Sequence, residues 1–402
     1  MILDLAILAV VLAAAAVMFS ARVSGITRWR AMVTPLASII GSGFLVLGPI
    51  LLASYGRFAP LAMLALCAGA YLFGAAVRFN IATIALAQSQ GGRSAAELAV
   101  EMVASWALAF AYFISVAYYL NLFGAFGVSI IGYRDGIEAR LLTSAIFLAI
   151  LAVGWWRGFK VLERLEYASV TVKLSIIVGL LVGLAASFAV KLADGGLVFN
   201  PPALVGVDAV TLAFGLLITV QGFETSRYLG RHYDPPMRIR SMQLAQWVTT
   251  AIYMVYIGLI TYLFQRSELK LSETAIIDMM RVVSPVLPAL LVAAALSAQF
   301  SAAIADTAGS GGLLSELTRG AVTPRQAYLL LTAVGLLLTW TADVFQIISY
   351  ASRAFAFYYA MEALIALLGA ARLDRGAWRV AGFLALFLLG LAIVVLGEAV
   401  VA

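Results

Sequence analysis

The sequence contains about twelve hydrophobic stretches, each long enough to cross a lipid bilayer as an α-helix. About 20 apolar residues in helical form span the roughly 30 Å hydrocarbon core. A chain in lipid must satisfy its backbone N–H and C=O groups internally, so these stretches predict an all-α polytopic membrane protein. They lie at residues 2–20, 33–54, 58–78, 101–131, 139–156, 163–190, 207–228, 242–264, 285–314, 326–341, 344–370 and 379–400.

The composition supports a membrane protein and argues against several other classes. Hydrophobic residues make up 64% of the chain and charged residues 11%, which is too apolar for a soluble domain. The single cysteine, Cys67, excludes an internal disulfide and a cysteine metal cluster, and the single histidine, His232, argues against a histidine metal site. The basic residues lie between the hydrophobic stretches, so we expect the lipid bilayer as a partner and no nucleic acid. We expect no metal and no cofactor, and the oligomeric state stays open.

The distribution of lysine and arginine predicts the topology. Asp4 lies in the first stretch, and Arg28 and Arg30 follow it, which is the reverse of the charge order in a secretory signal peptide. The densest basic linker runs from Arg227 to Arg240, and the positive-inside rule places it in the cytoplasm. The N- and C-termini then both lie outside, and we expect a multi-pass protein of a bacterial inner membrane.

Gly41-Ser42-Gly43 interrupts the second hydrophobic stretch near its middle. Each glycine costs about 1 kcal/mol in helix propensity, so a plain lipid-facing span would not favour this segment. Unwound backbone at membrane depth persists only where protein or a polar cavity satisfies its hydrogen-bonding groups. Transporters commonly build their binding sites at such breaks, so we expect a site here.

A second interruption follows at a fixed distance along the chain. A shift of 179 residues places Gly43-Phe44 on Gly222-Phe223. The same shift aligns the five stretches that begin at residue 33 with the five that begin at residue 207. Five is an odd number, so the second unit is inverted relative to the first. The predicted units are an extra N-terminal helix with its linker at 1–32, a first repeat at 33–191, an inverted repeat at 207–370 and an extra C-terminal helix at 377–402.

Four segments carry a resemblance to a known family. Ile40-Gly41-Ser42-Gly43-Phe44 looks like a GSGIF-type signature, and Gln221-Gly222-Phe223-Glu224 resembles a GFE segment that Asp234-Pro235 follows. The segment 158–174 is similar to a fifth core helix with a membrane-embedded lysine. The chain therefore resembles the amino acid–polyamine–organocation (APC) superfamily, whose members have the LeuT-type fold of five plus five inverted helices. The resemblance implies a secondary active transporter of amino acids or related small amines that works by alternating access.

The resemblance also assigns a substrate site to the two breaks. There, amides at half-helix ends offer partners to a carboxylate, and freed carbonyls suit an ammonium group. A tyrosine from the third core helix often caps this site in the family. A second interpretation is that the glycines only allow close helix packing. The implied substrate-binding residues are Ser38, Ile39, Gly41, Ser42, Gly43, Tyr112, Tyr119, Gln221, Gly222 and Phe223.

Lys173 is the most informative single residue. It lies about nine residues into its helix from the cytoplasmic end, or roughly 14 Å deep, where a lysine is costly enough to predict a function. Proton-coupled relatives place a lysine amine in the site that holds sodium in sodium-coupled members. The resemblance thus implies that Lys173 titrates in a cation site, with Asp306, Ser301 or Thr307 as its partner. A static Lys173–Asp306 ion pair, or no contact between the two, are the alternatives.

Three further charged residues have predicted roles. Glu224 matches an acidic position that some relatives use in proton response, so it is a second candidate for proton coupling. Glu224 and Arg227 are spaced i, i+3, which predicts a local pair or an inner gate. Arg353 falls within one residue of the symmetry mate of Lys173, and we expect it to pair with an acid or bind a substrate carboxylate.

Three other functions stay open. A sodium–solute symporter would hold its cation between the first break and the helix at 285–314. A channel or sensor would keep the transporter scaffold without turnover. A membrane-embedded enzyme is disfavoured because one histidine and one cysteine provide neither a zinc site nor a Cys–His pair. The residues of the alternative cation site are Ala37, Ile40, Ser301, Ala303, Asp306 and Thr307.

Overall fold

The computed structural model describes residues 2–90, 92–129, 136–156, 166–229 and 233–401, and every regular element in these ranges is helical. Short 3-10 turns at Gly56–Phe58, Leu217–Val220 and Arg266–Glu268 connect some of the α-helices. The helices are α1 (Ile2–Phe19), α2 (Ala21–Ser24), α3 (Thr27–Ser42), α4 (Phe44–Tyr55), α5 (Ala59–Gln90), α6 (Ala95–Ser129), α7 (Gly136–Trp156), α8 (Glu166–Ala193), α9 (Gly206–Gly215), α10 (Thr225–Tyr228), α11 (Pro235–Leu263), α12 (Ala275–Val283), α13 (Leu287–Leu317), α14 (Pro324–Thr341), α15 (Val344–Arg372) and α16 (Ala377–Leu396).

The all-α fold class is confirmed, and the chain is a multi-pass membrane protein. Within the described ranges, nine helical stretches are long and apolar enough to cross a membrane. One of them, Phe44–Ile84, joins the second half of the first broken helix to most of α5. The first half of that helix, the second broken helix and α14 are not among the nine. They fall outside this set because their helices are short or, in α14, carry polar residues near the start. The predicted ends at 130–131 and 163–165, the first residues of the segment 158–174, and His232 lie outside the described residues.

Several helices extend beyond the predicted hydrophobic stretches, and capping residues begin two of them, α11 and α6, outside the apolar part. α3 begins at Thr27, so residues 27–32 are helical rather than part of a linker. Asp234 accepts a hydrogen bond from Met237 N and begins α11 eight residues before the apolar stretch. Ser94 and Glu97 exchange hydrogen bonds between side chain and backbone N–H at the start of α6, which is a capping box.

The two predicted breaks are both present, and they differ in extent. α3 ends at Ser42 and α4 begins at Phe44, so Gly43 alone interrupts the first broken helix. The second break is wider, because a 3-10 turn follows α9 and residues 221–224 separate this turn from α10. Gly222 has a φ of 117°, a backbone conformation that favours glycine.

The long helix α6 lies at the centre, with α13 and α15 as its main neighbours. The two extra helices take equivalent positions outside this core, since α1 packs on α8 and α16 packs on α15. Small residues make both contacts close: a Cβ atom on Gly179 would lie 2.4 Å from Val11 Cγ2, and one on Gly390 would lie 2.8 Å from Ala360 Cβ. α8 and α15 are the fifth helices of the two predicted repeats, so this arrangement follows the repeat symmetry.

Candidate functional site

The two breaks lie against each other inside the helix bundle. A Cβ atom on Gly222 would lie 2.6 Å from Ser38 C and 2.7 Å from Ile39 N. One on Gly43 would lie 2.4 Å from Thr219 Cβ. Carbon atoms do not approach so closely, so only glycine lets the breaks touch. Both glycines thus serve close packing, and this packing brings the exposed backbone of both broken helices to one place.

A tyrosine from α11 links the two breaks. The hydroxyl oxygen of Tyr253 lies 2.7 Å from Thr219 O and 3.2 Å from Ile39 O, and the side chain is fully buried. One helical turn further on, the Tyr256 ring stacks on Phe44 with centroids 4.2 Å apart. Neither tyrosine was among the residues predicted from the sequence. Their spacing of three residues, which puts both on one face of the helix, was the available signal.

Lys173 reaches the first break from α8. Its Nζ donates a hydrogen bond to Ala37 O at 2.8 Å, and the side chain is only 4% exposed. A Cβ atom on Gly41 would lie 3.5 Å from the same Nζ. From α13, Gln299 Nε2 donates to Gly41 O at 3.2 Å. Side chains from α8 and α13 therefore satisfy carbonyls near the first break, with an ammonium group on one of them.

A small cavity of about 20 Å³, which has room for about one water molecule, adjoins this ammonium group. It lies between the first broken helix, α8 and α13, and most of its walls are apolar. Gln299 also lines it, and its Oε1 is buried and accepts no hydrogen bond from the described residues. A buried carbonyl group without a donor is a candidate for contact with water or a ligand.

Ser352 holds the second break much as Lys173 holds the first. Its Oγ donates to Gly215 O at 2.7 Å and accepts from Ile218 N at 2.9 Å. Ser352 lies 179 residues after Lys173, so equivalent positions on α8 and α15 bond to backbone groups of equivalent breaks. The shift of 179 residues indicates this position, but the sequence analysis selected the neighbouring Arg353 because arginine carries a charge.

Arg353 bonds to a backbone carbonyl rather than to the acid that was one of its two predicted partners. Its Nε donates to Gly397 O at 2.8 Å, and its Nη2 contacts the same oxygen. Gly397 is the residue at which α16 ends, where carbonyl groups without helical partners attract a cation. Arg353 therefore stabilises a helix end, and its hydrogen bonds to the described residues include neither an acid nor the backbone of a break.

Asp306 and Lys173 have different partners. Asp306 lies on α13, and its Oδ2 accepts a hydrogen bond from Ser115 Oγ of α6 at 2.5 Å. Among the contacts of the described residues, the static ion pair that was one alternative for Lys173 and Asp306 is not formed. Asp306 and Glu224 do lie close enough for their carboxyl groups to interact electrostatically.

The other residues of the alternative cation site are divided between two helices. Ala37 and Ile40 lie on α3, and the carbonyl of Ala37 already accepts from Lys173. On α13, Thr307 donates to Ala303 O at 2.6 Å, and Ser301 is half-buried. The structure thus brings the lysine amine to one predicted oxygen ligand, while the Thr307 hydroxyl bonds within its own helix. Among the described residues, no group of three His, Cys, Asp or Glu is placed to hold a metal ion.

Side chains from α6 and α15 meet the second break. Glu224 accepts hydrogen bonds from Gly222 N at 2.9 Å and from the Tyr359 hydroxyl at 2.7 Å. The Phe223 ring stacks on Tyr359 with centroids 4.9 Å apart. These contacts keep the carboxyl group of Glu224 buried, at 1% exposure.

Gln221 and the two predicted tyrosines complete this region. Gln221 Nε2 donates to the Tyr119 hydroxyl at 3.0 Å, while its Oε1 is buried with no hydrogen-bond donor in the described part of the chain. Tyr112 lies edge-on to Phe355 at 6.1 Å and close to Gly309 of α13. The structure thus places Tyr119 at the second break and Tyr112 between α13 and α15. The Ser42 side chain lies outside the described part of the structure.

A cluster of ionic side chains lies at α10, the helix that follows the second break. Arg227 pairs with Glu101 of α6 at 2.6 Å and with Glu362 of α15, so the predicted local pair with Glu224 is wrong. These partners prevail because they are carboxylates on neighbouring helices, while Glu224 is held by Tyr359. Arg372 of α15 pairs with Glu97 of α6 at 3.0 Å. The ion cluster, as we call it, comprises Arg93, Glu97, Glu101, Arg227, Glu362 and Arg372.

Comparisons with known proteins agree with this geometry. The chain is similar to the solved structure of Mhp1, a nucleobase-cation-symport-1 family transporter in a closed conformation with bromovinylhydantoin bound. The TM-score is 0.57 at 13% sequence identity, over 91% of each chain, which shows the LeuT-type fold. This chain is also 44% identical over 342 residues to an uncharacterized protein of Aquifex aeolicus, and the match covers 84% of this chain and 83% of that protein. A family model described as an APC superfamily transporter matches residues 21–397. With two broken helices in contact and this match over most of its length, the chain belongs to the APC superfamily of transporters.

Proposed function

We propose that this protein carries amino acids or related small amines across the membrane, by alternating access around its two breaks, with H⁺ as the coupling ion. The observation that supports H⁺ most directly is the hydrogen bond from Lys173 Nζ to Ala37 O. A lysine ammonium group there supplies the charge that a bound metal cation would otherwise supply. The LeuT-type fold and the family support secondary transport in general.

Proton exchange at Lys173 would act on the first broken helix. A charged amine bonds to a carbonyl about twice as strongly as a neutral one, so the protonated form holds α3 to α8. Loss of the proton weakens this bond and frees α3 to move against α8 and α13. In this mechanism the proton on Lys173 and the substrate favour the same position of α3, so each strengthens the binding of the other, which is the coupling that a symporter needs.

The chemistry of the breaks supports an amine-bearing substrate. Asp306 and Glu224 offer two carboxyl groups in the region between α6, α13 and the second break. Gln221 Oε1 adds a buried oxygen that lacks a donor among the described residues. An ammonium group would satisfy such oxygen atoms, and backbone N–H groups at the breaks would bind a carboxylate. Mhp1 binds a hydantoin, but at 13% identity that likeness supports the fold and not the substrate.

The ion cluster supports alternating access. It joins the end of the second broken helix to α6 and α15, and so closes one side of the contact between the breaks. For substrate to pass on that side, these pairs must separate. The positive-inside rule places the cluster on the cytoplasmic side of a bacterial inner membrane, with both termini outside.

Sodium symport is the alternative. It requires Lys173 Nζ to leave Ala37 O, so that oxygen atoms of α3 and α13 can hold Na⁺ instead. We favour H⁺ because the ammonium group already lies on this carbonyl.

Substrate counterflow tests the proposal against a channel and an enzyme. Proteoliposomes are loaded with an unlabelled amino acid mixture, and uptake of each labelled amino acid is followed without any ion gradient. We expect transient accumulation above equilibrium of at least one amino acid or amine, recovered chemically unchanged. Immediate dissipation of the loaded pool would indicate a channel, and chemical conversion would indicate an enzyme. Counterflow of nucleobases alone would contradict the proposed substrate class.

A further inference from the structure

A second cavity lies away from the breaks, between the first turn of α3 and the first turns of α11. Its volume is about 180 Å³, and its walls include two arginines, Arg28 from α3 and Arg240 from α11. Nothing in the proposed transport mechanism uses these side chains.

The two arginines are exposed cations. Neither forms an ion pair with a carboxylate in the part of the chain that the structure describes. The arginines of the ion cluster, in contrast, all bond to glutamates. A guanidinium group presents paired N–H donors that match the oxygen atoms of a phosphate, so two of them beside one cavity favour a phosphate group.

The cavity continues onto an apolar surface. Leu244 and Trp247 follow Arg240 at spacings of four and seven residues, which puts all three on one face of α11. Both also line the cavity, and they are 39% and 59% exposed. Tryptophan is enriched where a membrane protein meets the headgroup region. Along this face, Arg240 therefore lies where a lipid headgroup would bind, and Leu244 and Trp247 lie where the upper part of its acyl chain would pack.

We propose that this cavity binds an anionic glycerophospholipid, with its phosphate group on Arg28 and Arg240 and an acyl chain along Leu244 and Trp247. Basic pockets between transmembrane helices bind acidic headgroups in this way. The adjoining apolar face favours a lipid over a soluble phosphate as the source. The proposal is independent of the transported substrate and of the coupling ion.

Native mass spectrometry of the delipidated full chain tests this site. The protein is incubated with phosphatidylglycerol or with phosphatidylcholine of the same acyl chains, and the bound fraction is measured for each lipid. We expect the wild type to prefer phosphatidylglycerol, and the double variant Arg28→Gln/Arg240→Gln to bind it roughly 30-fold more weakly, since each surface arginine contributes about 1 kcal/mol.

The matched control is Arg325→Gln/Arg375→Gln, which removes two exposed arginines that do not line the cavity. It should keep the preference of the wild type. Equal loss in both double variants would overturn the site, because only total charge would then matter. Displacement of the lipid by an equal concentration of inorganic phosphate would assign the cavity to a soluble anion and would also overturn the proposal. Thermal unfolding of all three proteins verifies that each is folded.

Discussion

At the scale of single residues, close backbone contact decides what the breaks tolerate. Gly222 has a positive φ, and a Cβ atom added to it would lie 2.6 and 2.7 Å from backbone atoms of α3. A methyl group there meets both a strained backbone conformation and a neighbouring backbone that cannot move away like a flexible side chain. The two costs act together at this position.

We therefore expect Gly222→Ala to lower the free energy of unfolding by more than about 2 kcal/mol. Gly258→Ala is the matched control, because Gly258 lies inside α11 with no atom within 4 Å of an added Cβ. That change should be neutral or stabilising by up to about 1 kcal/mol. Thermal unfolding in detergent measures both. Equal stability of the two variants would contradict the contact between the breaks.

Ser352 gives a second prediction at this scale. Ser352→Ala removes both the donor to Gly215 O and the acceptor for Ile218 N, and the loss of these buried bonds costs about 1–3 kcal/mol. Ser310 is equally buried but bonds only within its own helix, so Ser310→Ala should cost less than about 1 kcal/mol. Counterflow by the two variants is the functional readout, and only Ser352→Ala should reduce it. Unaltered stability and counterflow in Ser352→Ala would show that α15 does not position the second break.

At the scale of helices, the ion cluster holds the end of the second broken helix to α6 and α15. Its glutamates are largely buried: Glu97 is 2% exposed and Glu362 is fully buried. Removing one partner of a buried ion pair leaves an uncompensated charge, which is far more costly than losing a surface pair. The cluster should therefore control how often this side of the molecule opens.

Cysteine labelling measures that opening. In a Cys67→Ala background, Ser226→Cys places a thiol at a fully buried position beside Arg227. Adding Arg227→Gln should increase its labelling rate by a membrane-permeant reagent at least about tenfold, as expected for a loss above about 1.4 kcal/mol. Adding Arg281→Gln, which breaks only an exposed pair with Asp278, should change the rate less than about twofold. Equal rates in the two variants would show that the cluster is not a gate.

The helices themselves were largely predictable, and their contacts were not. Apolar stretches of spanning length identified the predicted helices, and mid-span glycines identified both breaks, because each signal is local in the chain. The bonds from Tyr253 to Thr219 and from Ser352 to Gly215 join residues 34 and 137 positions apart. Tyrosine and serine are common in membrane helices, so no local pattern marked them. The charge of Arg353 led us to expect an acidic partner or a substrate carboxylate, but its partner is a carbonyl at the end of α16.

At the scale of the whole molecule, the two repeats place equivalent side chains on equivalent breaks, but the side chains differ. α8 supplies a lysine that can gain or lose a proton, and α15 supplies a serine that stays neutral. We propose that this asymmetry gives the first break the coupling ion. In the proposed mechanism, repeat symmetry provides the alternating motion and Lys173 couples it to H⁺.

Uptake into proteoliposomes under separately imposed pH and sodium gradients tests this claim most directly. Wild type and Lys173→Ala are compared with Lys191→Gln, which alters a second lysine of α8 that also bonds to a carbonyl, at Leu263. We expect uptake that is driven by an inside-alkaline pH gradient and indifferent to sodium, reduced at least about tenfold in Lys173→Ala and kept in Lys191→Gln. Sodium-driven uptake in the wild type, or pH-driven uptake that survives in Lys173→Ala, would contradict it.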